Sequence, residues 1–560
     1  MYMSNSKKII LILVGGFILR MWGIGFGLPY QFHQDEPIVV NHALAYGTGD
    51  LNPHFFIIPP LSSYLLFLLY GVYFICLRLL GSMQNAAQFA SSFFKDPAPF
   101  YLIGRVFLGV LPSILNTYLT YRLAKNFVSI RSALFAAALM SVVYLNVTNG
   151  HYIYVDNLLV MFVLLGYIVL SRLIFAYGLK RCILAGIIYG LAVATKYNAI
   201  FLAIPFLFIQ FSSGRRSASG LLLFIGFALL AFVIGNPFSI LDGNNFLLNI
   251  TKNIRHEHVG WLHHFIYSLW AGTGVDFSTL GSVGLMVFTV KKPRAGIFLL
   301  SFAVLFYIHL VFASQYFSRY VLVLIPFLAI GAGYLLFDYL WERVRGAFFR
   351  RALIIIAFIL ISVQAVKSVK ADMLFSTKDT RQEALEWIQS NIPVNSRIAF
   401  DSTFFRPPVK ENTRQLLQKK LLTGKQPGLR EIKDKKIDFQ IKARELDKNT
   451  YEVYYIVSST NKGPAKFLGF WPVILNKLEA LKAEGIEYAV FDNFGINGPS
   501  DALRREIARL YKPAVYFNPY ATDEFRKPFD MFETTCIPID SRELFSRKKP
   551  GPYLIIYELR

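Results

Sequence analysis

Long apolar runs separated by short basic connectors dominate the first two thirds of the chain. After Lys7-Lys8 an apolar run extends to Gly27, and further runs lie at about 61–80, 101–123, 132–148, 157–177, 182–195, 197–212, 218–236, 268–290, 295–313, 320–340 and 351–367. Each is long enough, or nearly so, to cross a hydrocarbon core of ~30 Å. The first lacks a clear small-residue cleavage site and more runs follow, which predicts an uncleaved signal anchor with its start in the cytoplasm. Arg20, near the far end of that span, can snorkel outward. The pair 182–195 and 197–212 is short and divided at Lys196.

The basic connectors predict orientation. Arg122 to Arg131, Lys180-Arg181, Arg215-Arg216, Lys291 to Arg294 and Arg343 to Arg351 should all be cytoplasmic, because Lys and Arg concentrate in cytoplasmic loops. They agree with one another, two spans apart each time. They agree with the first span only if 61–80 does not cross, but lies along the membrane or re-enters from the outer side. About eleven crossings then result, and the C-terminal part is extracytoplasmic. The outer face carries a long first loop at about 28–100, the loop 149–156, the Lys196 turn, the loop 237–267 and the turn Ser314 to Arg319.

From about 370 the apolar runs shorten and charge rises. Thr380 to Asn391 predicts an amphipathic helix with Ala384, Leu385 and Ile388 on one face, ended by Pro393. Arg397 to Asp401, Tyr451 to Val457, Glu487 to Phe491 and Tyr553 to Tyr557 predict strands. Trp471 to Glu484 and Asp501 to Tyr511 predict helices, and 406–450 a loop-rich stretch. The fold class is a polytopic α-helical membrane protein with juxtamembrane helices in the first outer loop. Residues 1–369 form the transmembrane domain and 370–560 a soluble, extracytoplasmic α/β domain.

Composition agrees. Hydrophobic residues make up 54% of the 560 positions and charged residues only 17%, against about 25% charged in an average soluble chain. A soluble enzyme, a disordered chain and a disulfide scaffold are excluded. The formal net charge of +23 first means positive cytoplasmic loops, and also suits anionic head groups or phosphate substrates. Nucleic acid is not an expected partner, because the basic residues sit between apolar spans rather than along one face. The three cysteines, Cys76, Cys182 and Cys536, form no metal-ligand spacing. Neither a GxGxxG run nor a Walker loop occurs, which disfavours a soluble nucleotide donor.

Candidate chemistry gathers at the outer loops. Asp35-Glu36 stands just beyond the first span. Adjacent carboxylates at a membrane surface are costly unless solvated, used or paired. One can take a proton from an acceptor while its neighbour orients helices or a metal. Asn52-Pro53-His54 and Ile58-Pro59-Pro60-Leu61 follow, the prolines fixing a helix start. Gly150 to Asn157 contains His151 and Asp156, the latter also readable as a simple helix cap. Lys196-Tyr197 breaks an apolar hairpin and Ser318-Arg319-Tyr320 opens a span. Either cation suits a phosphate, or merely anchors at the interface. Arg105 falls on the same side. The loop Arg255 to Gly260, with Glu257 and His258, lacks the HExxH pattern, so a zinc protease is not expected.

This constellation resembles the GT-C superfamily of integral-membrane glycosyltransferases, in particular the branch of protein O-mannosyltransferases and the lipid A aminoarabinose transferase. The matching elements are Asp35-Glu36, the Pro-Pro-Leu segment about 25 residues on, Gly104-Arg105, Asp156, the run Gly190 to Tyr197, the run Arg319 to Pro326, and the stretch from Asp379. The likeness covers about 1–400. It implies a polyprenyl-phosphate-linked sugar donor with its tail between spans. It further implies Asp35 as base, transfer with inversion, and Lys196, Arg319 and Arg105 as cations for the leaving phosphate. Asp156 would position acceptor or donor sugar, and Glu36 is read as structural. His54, His151, Tyr197, Tyr320, Glu257 and His258 complete the candidate binding set. Ile58 and Pro59 stand where the aminoarabinose transferases carry a Lys, and the outer domain is C-terminal rather than between spans, so sugar and acceptor stay open.

The expected function is thus an inverting GT-C transferase of a hexosyl or pentosyl group to a hydroxyl on a protein, lipid or cell-surface glycan at the outer face of a plasma or inner membrane. No cofactor is required by this chemistry, although a divalent metal shared by Asp35, Asp156 and the histidine loop is left open. The alternative is a lipid or glycolipid transporter or flippase. Clustering of the candidate polar residues at one membrane face favours the enzyme over a transporter, whose charges lie at mid-membrane.

Overall fold

The computed structural model describes residues 4–212, 217–253, 261–312, 317–402, 405–423, 437–438, 440–442, 449–457, 472–528, 537–538 and 540–560. They divide into two compact units. The first holds residues up to Ile24, Asp35–Ile75 and Phe100–Asp372; the second holds Gly25–Gln34, Cys76–Pro99 and Met373–Arg560.

The first unit is helical, and the chain is an integral membrane protein. Among the described residues seven helices are long and apolar enough to cross a bilayer, or eight if one bent pair is a single span. The helix Leu61–Leu79 is one of the seven. The shorter helix Glu36–Tyr46 also lies in this unit, and Ala86–Lys95 in the second.

Two predicted spans are broken. The run 132–148 forms Ile130–Val142 and Tyr144–Asn149, divided where Val143 takes ψ 121°. The run 268–290 is not one helix but His264–Ala271 and Val275–Lys291, bent by 114°. Gly274 makes that bend with φ +87°, where a Cβ would also meet Asp276 Oδ1 at 2.4 Å; a glycine is what such a backbone demands.

The helix Ala98–Ala124 contains a π turn at Arg105–Val110. Turns of this kind re-aim side chains and cluster at functional sites. A Cβ on Gly104 would lie 2.6 Å from Ile153, and one on Gly109 would lie 2.5 Å from the Gly150 carbonyl. The two glycines therefore let the loop 150–155 lie directly on this helix. That contact fixes where the next helix, Asp156–Phe175, begins.

In the second unit the strands β1 (Arg397–Phe400), β2 (Lys410–Glu411), β3 (Thr450–Val457), β4 (Val473–Leu475), β5 (Tyr488–Asp492), β6 (Pro513–Phe517) and β7 (Leu554–Glu558) form one sheet. Its order is β2-β3-β1-β5-β7-β6, with β4 also on β3. The strands β1 to β5 pair in parallel, while β7 runs antiparallel to β5 and β6. Successive residues of a strand face opposite ways. Ile398 and Phe400 accordingly join a core with Ala384, Leu385 and Ile388, while Ala399 joins the opposite one with Leu503 and Ile507. Burial on both faces is what a parallel sheet requires.

The helix Thr380–Asn391 has a capping box, Asp379 with Gln382. The expected helix over Trp471 to Glu484 is instead the strand β4 followed by the helix Leu478–Ala483, with Trp471 outside the described residues. Parallel pairing with Tyr455 to Val457 of β3 holds Val473-Ile474-Leu475 extended.

Candidate active site

Asp35 precedes the helix Glu36–Tyr46, whose Pro37 sits in its first turn. Its carboxylate does not cap that helix. It accepts a hydrogen bond from Arg319 Nη2 at 2.8 Å. Asp156 likewise opens a helix without capping it. Its Oδ1 accepts from Lys196 Nζ at 2.7 Å, and its Oδ2 lies 3.6 Å from Arg319 Nε. The simple cap reading of Asp156 is thereby replaced by an ion pair.

Each cation is placed by a break in helical structure. Lys196 has an extended backbone between the helix Leu179–Thr195 and the 3₁₀ turn Tyr197–Leu202. Arg319 lies in the 3₁₀ turn Ser318–Leu324. The result is an alternating row: Asp35, Arg319, Asp156, Lys196. Arg319 and Asp156 are 3% and 5% exposed, whereas Asp35 is 18% and Lys196 17% exposed. The two ends of the row are therefore the groups open to an incoming molecule.

Aromatic rings line the row. The Arg319 guanidinium lies 3.9 Å from the Phe317 ring centroid, 4.8 Å from Tyr154 and 5.8 Å from Tyr320. Lys196 Nζ lies 4.2 Å from the same Tyr320 ring. Such faces attract cations and hold them without neutralising their charge.

The other candidates are bonded elsewhere. Glu36 and Arg105 are both fully buried and form a two-pronged pair, Nε–Oε1 2.8 Å and Nη2–Oε2 2.7 Å. Arg105 Nη1 also donates to the Ile24 carbonyl at 2.7 Å, and Ile153 N donates to Glu36 Oε1 at 3.1 Å. The pair thus ties the first loop to the loop before Asp156. His54 bonds Asp50 at 2.8 Å. The His151 ring nitrogens lie 3.0 and 2.9 Å from the Val147 and Trp22 carbonyls. Burial drives the His151 imidazole down to about 4. Tyr197 donates its hydroxyl to the Phe56 carbonyl at 2.9 Å. Glu257 and His258 lie outside the described residues.

Tyr154 and Phe317 were not predicted as site residues. Both lie within two or three positions of residues that were, but one ring among 31 Tyr or 52 Phe carries no signal until its neighbour is known. Among the described residues no group of three or more His, Cys, Asp or Glu is arranged to hold a metal ion.

The fold has similarities among solved structures. The apo oligosaccharyltransferase of Archaeoglobus fulgidus aligns with a TM-score of 0.47 at 12% identity, covering 97% of this chain and 77% of its own. ArnT of Cupriavidus metallidurans in the apo state aligns with a TM-score of 0.47 at 10% identity, covering 98% of each chain. The mycobacterial arabinofuranosyltransferase AftD aligns with a TM-score of 0.43 at 12% identity, covering 100% of this chain and 42% of its own. Comparison with curated proteins finds no significant match. Residues 102–240 match the family model of dolichyl-phosphate-mannose-protein mannosyltransferases.

Over that segment the chain is similar to these membrane mannosyltransferases. The matched segment includes Arg105, His151, Asp156, Lys196 and Tyr197, and thus half of the charged row. Asp35 and Arg319 lie outside it and reach Asp156 and Lys196 only through the fold.

Proposed function

We propose that the protein is an inverting GT-C glycosyltransferase that moves a sugar from a polyprenyl-phosphate donor to a hydroxyl acceptor. The observation that carries this reading is the row in which the partly exposed carboxylate of Asp35 and two cations, Arg319 and Lys196, lie within one constellation. Asp35 is the base. It takes the proton of the acceptor hydroxyl as that oxygen bonds to the anomeric carbon. The bond from that carbon to the phosphate oxygen breaks, and its electron pair leaves with the phosphate. Attack and departure on opposite sides of the carbon give inversion. Lys196 and Arg319 stabilise the phosphate's growing charge from fixed positions, where preplaced cations act without reorganisation cost. Asp156, pinned by Lys196, orients both cations. The buried Glu36–Arg105 pair is a positioning pair that sets the two loops bearing the carboxylates. Tyr320 and Tyr197 hold the surroundings of Lys196, and His54 and His151 support the first loop and the loop before Asp156.

The site faces the extracytoplasmic side, with the N-terminus cytoplasmic and residues 370–560 outside. The acceptor is a protein, lipid or cell-surface glycan hydroxyl. The test is transfer of label from polyprenyl-phosphate sugars, with protein in lipid and a membrane extract as acceptor source. A labelled product supports the reading and names the acceptor. Folded protein that transfers from no such donor overturns it.

A further inference from the structure

Resting on that reading, the surroundings of Arg319 hold a further residue for the transfer. The Arg319 guanidinium bonds Asp35, the proposed base, at 2.8 Å, although its charge is also wanted by the leaving phosphate. These two demands are not simultaneous. Before reaction Asp35 is an anion and a donor phosphodiester carries one negative charge. After reaction Asp35 is neutral and the released phosphate monoester carries up to two. The proton that Asp35 gains therefore removes its hold on Arg319 in the same step in which the phosphate needs that hold. Total charge of the row and the phosphate together is unchanged, so no ion has to enter or leave a buried site, where such a change is expensive.

This exchange needs a guanidinium that can turn from one partner to the other while staying in place. The rings supply that. Phe317, at 3.9 Å, and Tyr154, at 4.8 Å, present their centroids to Arg319 Cζ. A ring face attracts the cation without a fixed hydrogen-bond direction, so the fork can change acceptor without losing its seat. Tyr154 is held there by the same loop that places Asp156, the loop laid on Gly104 and Gly109 and bonded to Glu36 through Ile153 N.

We infer that Tyr154 is a positioning residue of the transfer: with Phe317 it seats the Arg319 guanidinium so that Arg319 passes from Asp35 to the departing phosphate as Asp35 takes the acceptor proton. The ring face, not the phenol hydroxyl, does this. Arg319 then contributes more to the transition state than to donor binding, and so does the residue that seats it.

The experiment is steady-state kinetics of the full-length protein in lipid, with a polyprenyl-phosphate sugar donor that the wild type uses, for Tyr154→Phe and Tyr154→Met. Tyr154→Phe keeps the ring and should hold kcat within about three-fold. Tyr154→Met fills the space without a ring and should lower kcat on the order of 10²-fold, the scale of a small misplacement of a catalytic group, with donor KM little changed. Equal losses in the two variants would overturn the inference in favour of the hydroxyl. A loss confined to donor KM would overturn it in favour of plain binding, and wild-type kcat in Tyr154→Met would remove the residue from the mechanism. Should Tyr154→Met not fold, Arg319→Lys keeps the charge but not the fork. A kcat-selective loss there supports the exchange, and a KM-only loss overturns it. A wild type inactive with every polyprenyl-phosphate donor sinks the transferase reading itself, whereas an active wild type with unaffected variants sinks only this inference.

Discussion

At the scale of single residues, charge pairing separates groups that look alike in the sequence. Asp35 and Glu36 are adjacent carboxylates, yet one is 18% exposed and bonded to Arg319, while the other is sealed against Arg105. Lys196 and Arg105 are both cations that the sequence reading assigns to the same side, yet only Lys196 stands in the row with Asp156. Replacing Lys196 with Met should lower kcat by about 10² to 10³-fold, as loss of one preorganised donor to a developing anion does. Initial-rate measurements with a polyprenyl-phosphate sugar check this, and an unchanged kcat would remove Lys196 from the reaction. Asp35, Asp156, Lys196 and Arg319 were all legible as candidates, because a charged residue beside an apolar span needs a reason to be there. Their partners were not legible. Asp35 and Arg319 are 284 positions apart, and no local pattern pairs them. Arg105 was read as a cation for the phosphate through the resemblance; the carboxylate it bonds, Glu36, lies 69 positions away and no local pattern shows that pairing.

At the scale of elements, helix breaks and close packing do the positioning. The Glu36–Arg105 pair clamps the first loop to the loop 150–155, and both partners are fully buried. Arg105→Leu leaves Glu36 without its partner and should destabilise the protein by about 3–5 kcal/mol, the cost of stranding one member of a buried pair. Thermal unfolding in detergent, compared with a Glu36→Gln, Arg105→Leu double variant, checks this; the double variant should recover part of the loss. Helices and strands with strong periodicity were legible: Thr380–Asn391 appears with the predicted bounds, and the four predicted strands lie within a residue of those observed. The break at Gly272 to Gly274 was not, because an apolar run shows its composition but not its direction. The strands β2, β4 and β6 also escaped prediction. Each is short and becomes a strand only by pairing with a neighbour already in place.

At the scale of the whole molecule, the two units carry different electrostatics. In the sheet of the second unit, Asp401 follows β1 and Asp492 ends β5, its parallel neighbour. Burial pushes Asp492 up to about 6. Burial and the nearby Asp492 charge push Asp401 well above the usual carboxylate range. A carboxyl whose folded pKa is raised stabilises most below its ordinary pKa, and that contribution is lost as pH rises through the folded value. The pair should therefore favour the fold below about pH 4 and weaken it as pH climbs through about 6 and beyond. Hydrogen exchange at β1 and β5 in the full-length protein checks this. Protection in the wild type should fall from pH 5 to pH 8 relative to Asp401→Asn, and a constant difference would remove the pair as the cause. Orientation belongs to this scale too. A reporter fused near Gln88 should read as extracytoplasmic, and a cytoplasmic reading there would reverse the assigned side of the first loop.

The most direct test of the chemistry is single-turnover sugar transfer by Asp35→Asn. The variant keeps the size of the side chain and removes the proton acceptor. Transfer should fall by about 10² to 10⁴-fold, the usual worth of a general base, while binding of the polyprenyl-phosphate sugar persists. Transfer at the wild-type rate by Asp35→Asn would contradict the assignment of Asp35 as the base and, with it, the role given to the row it heads.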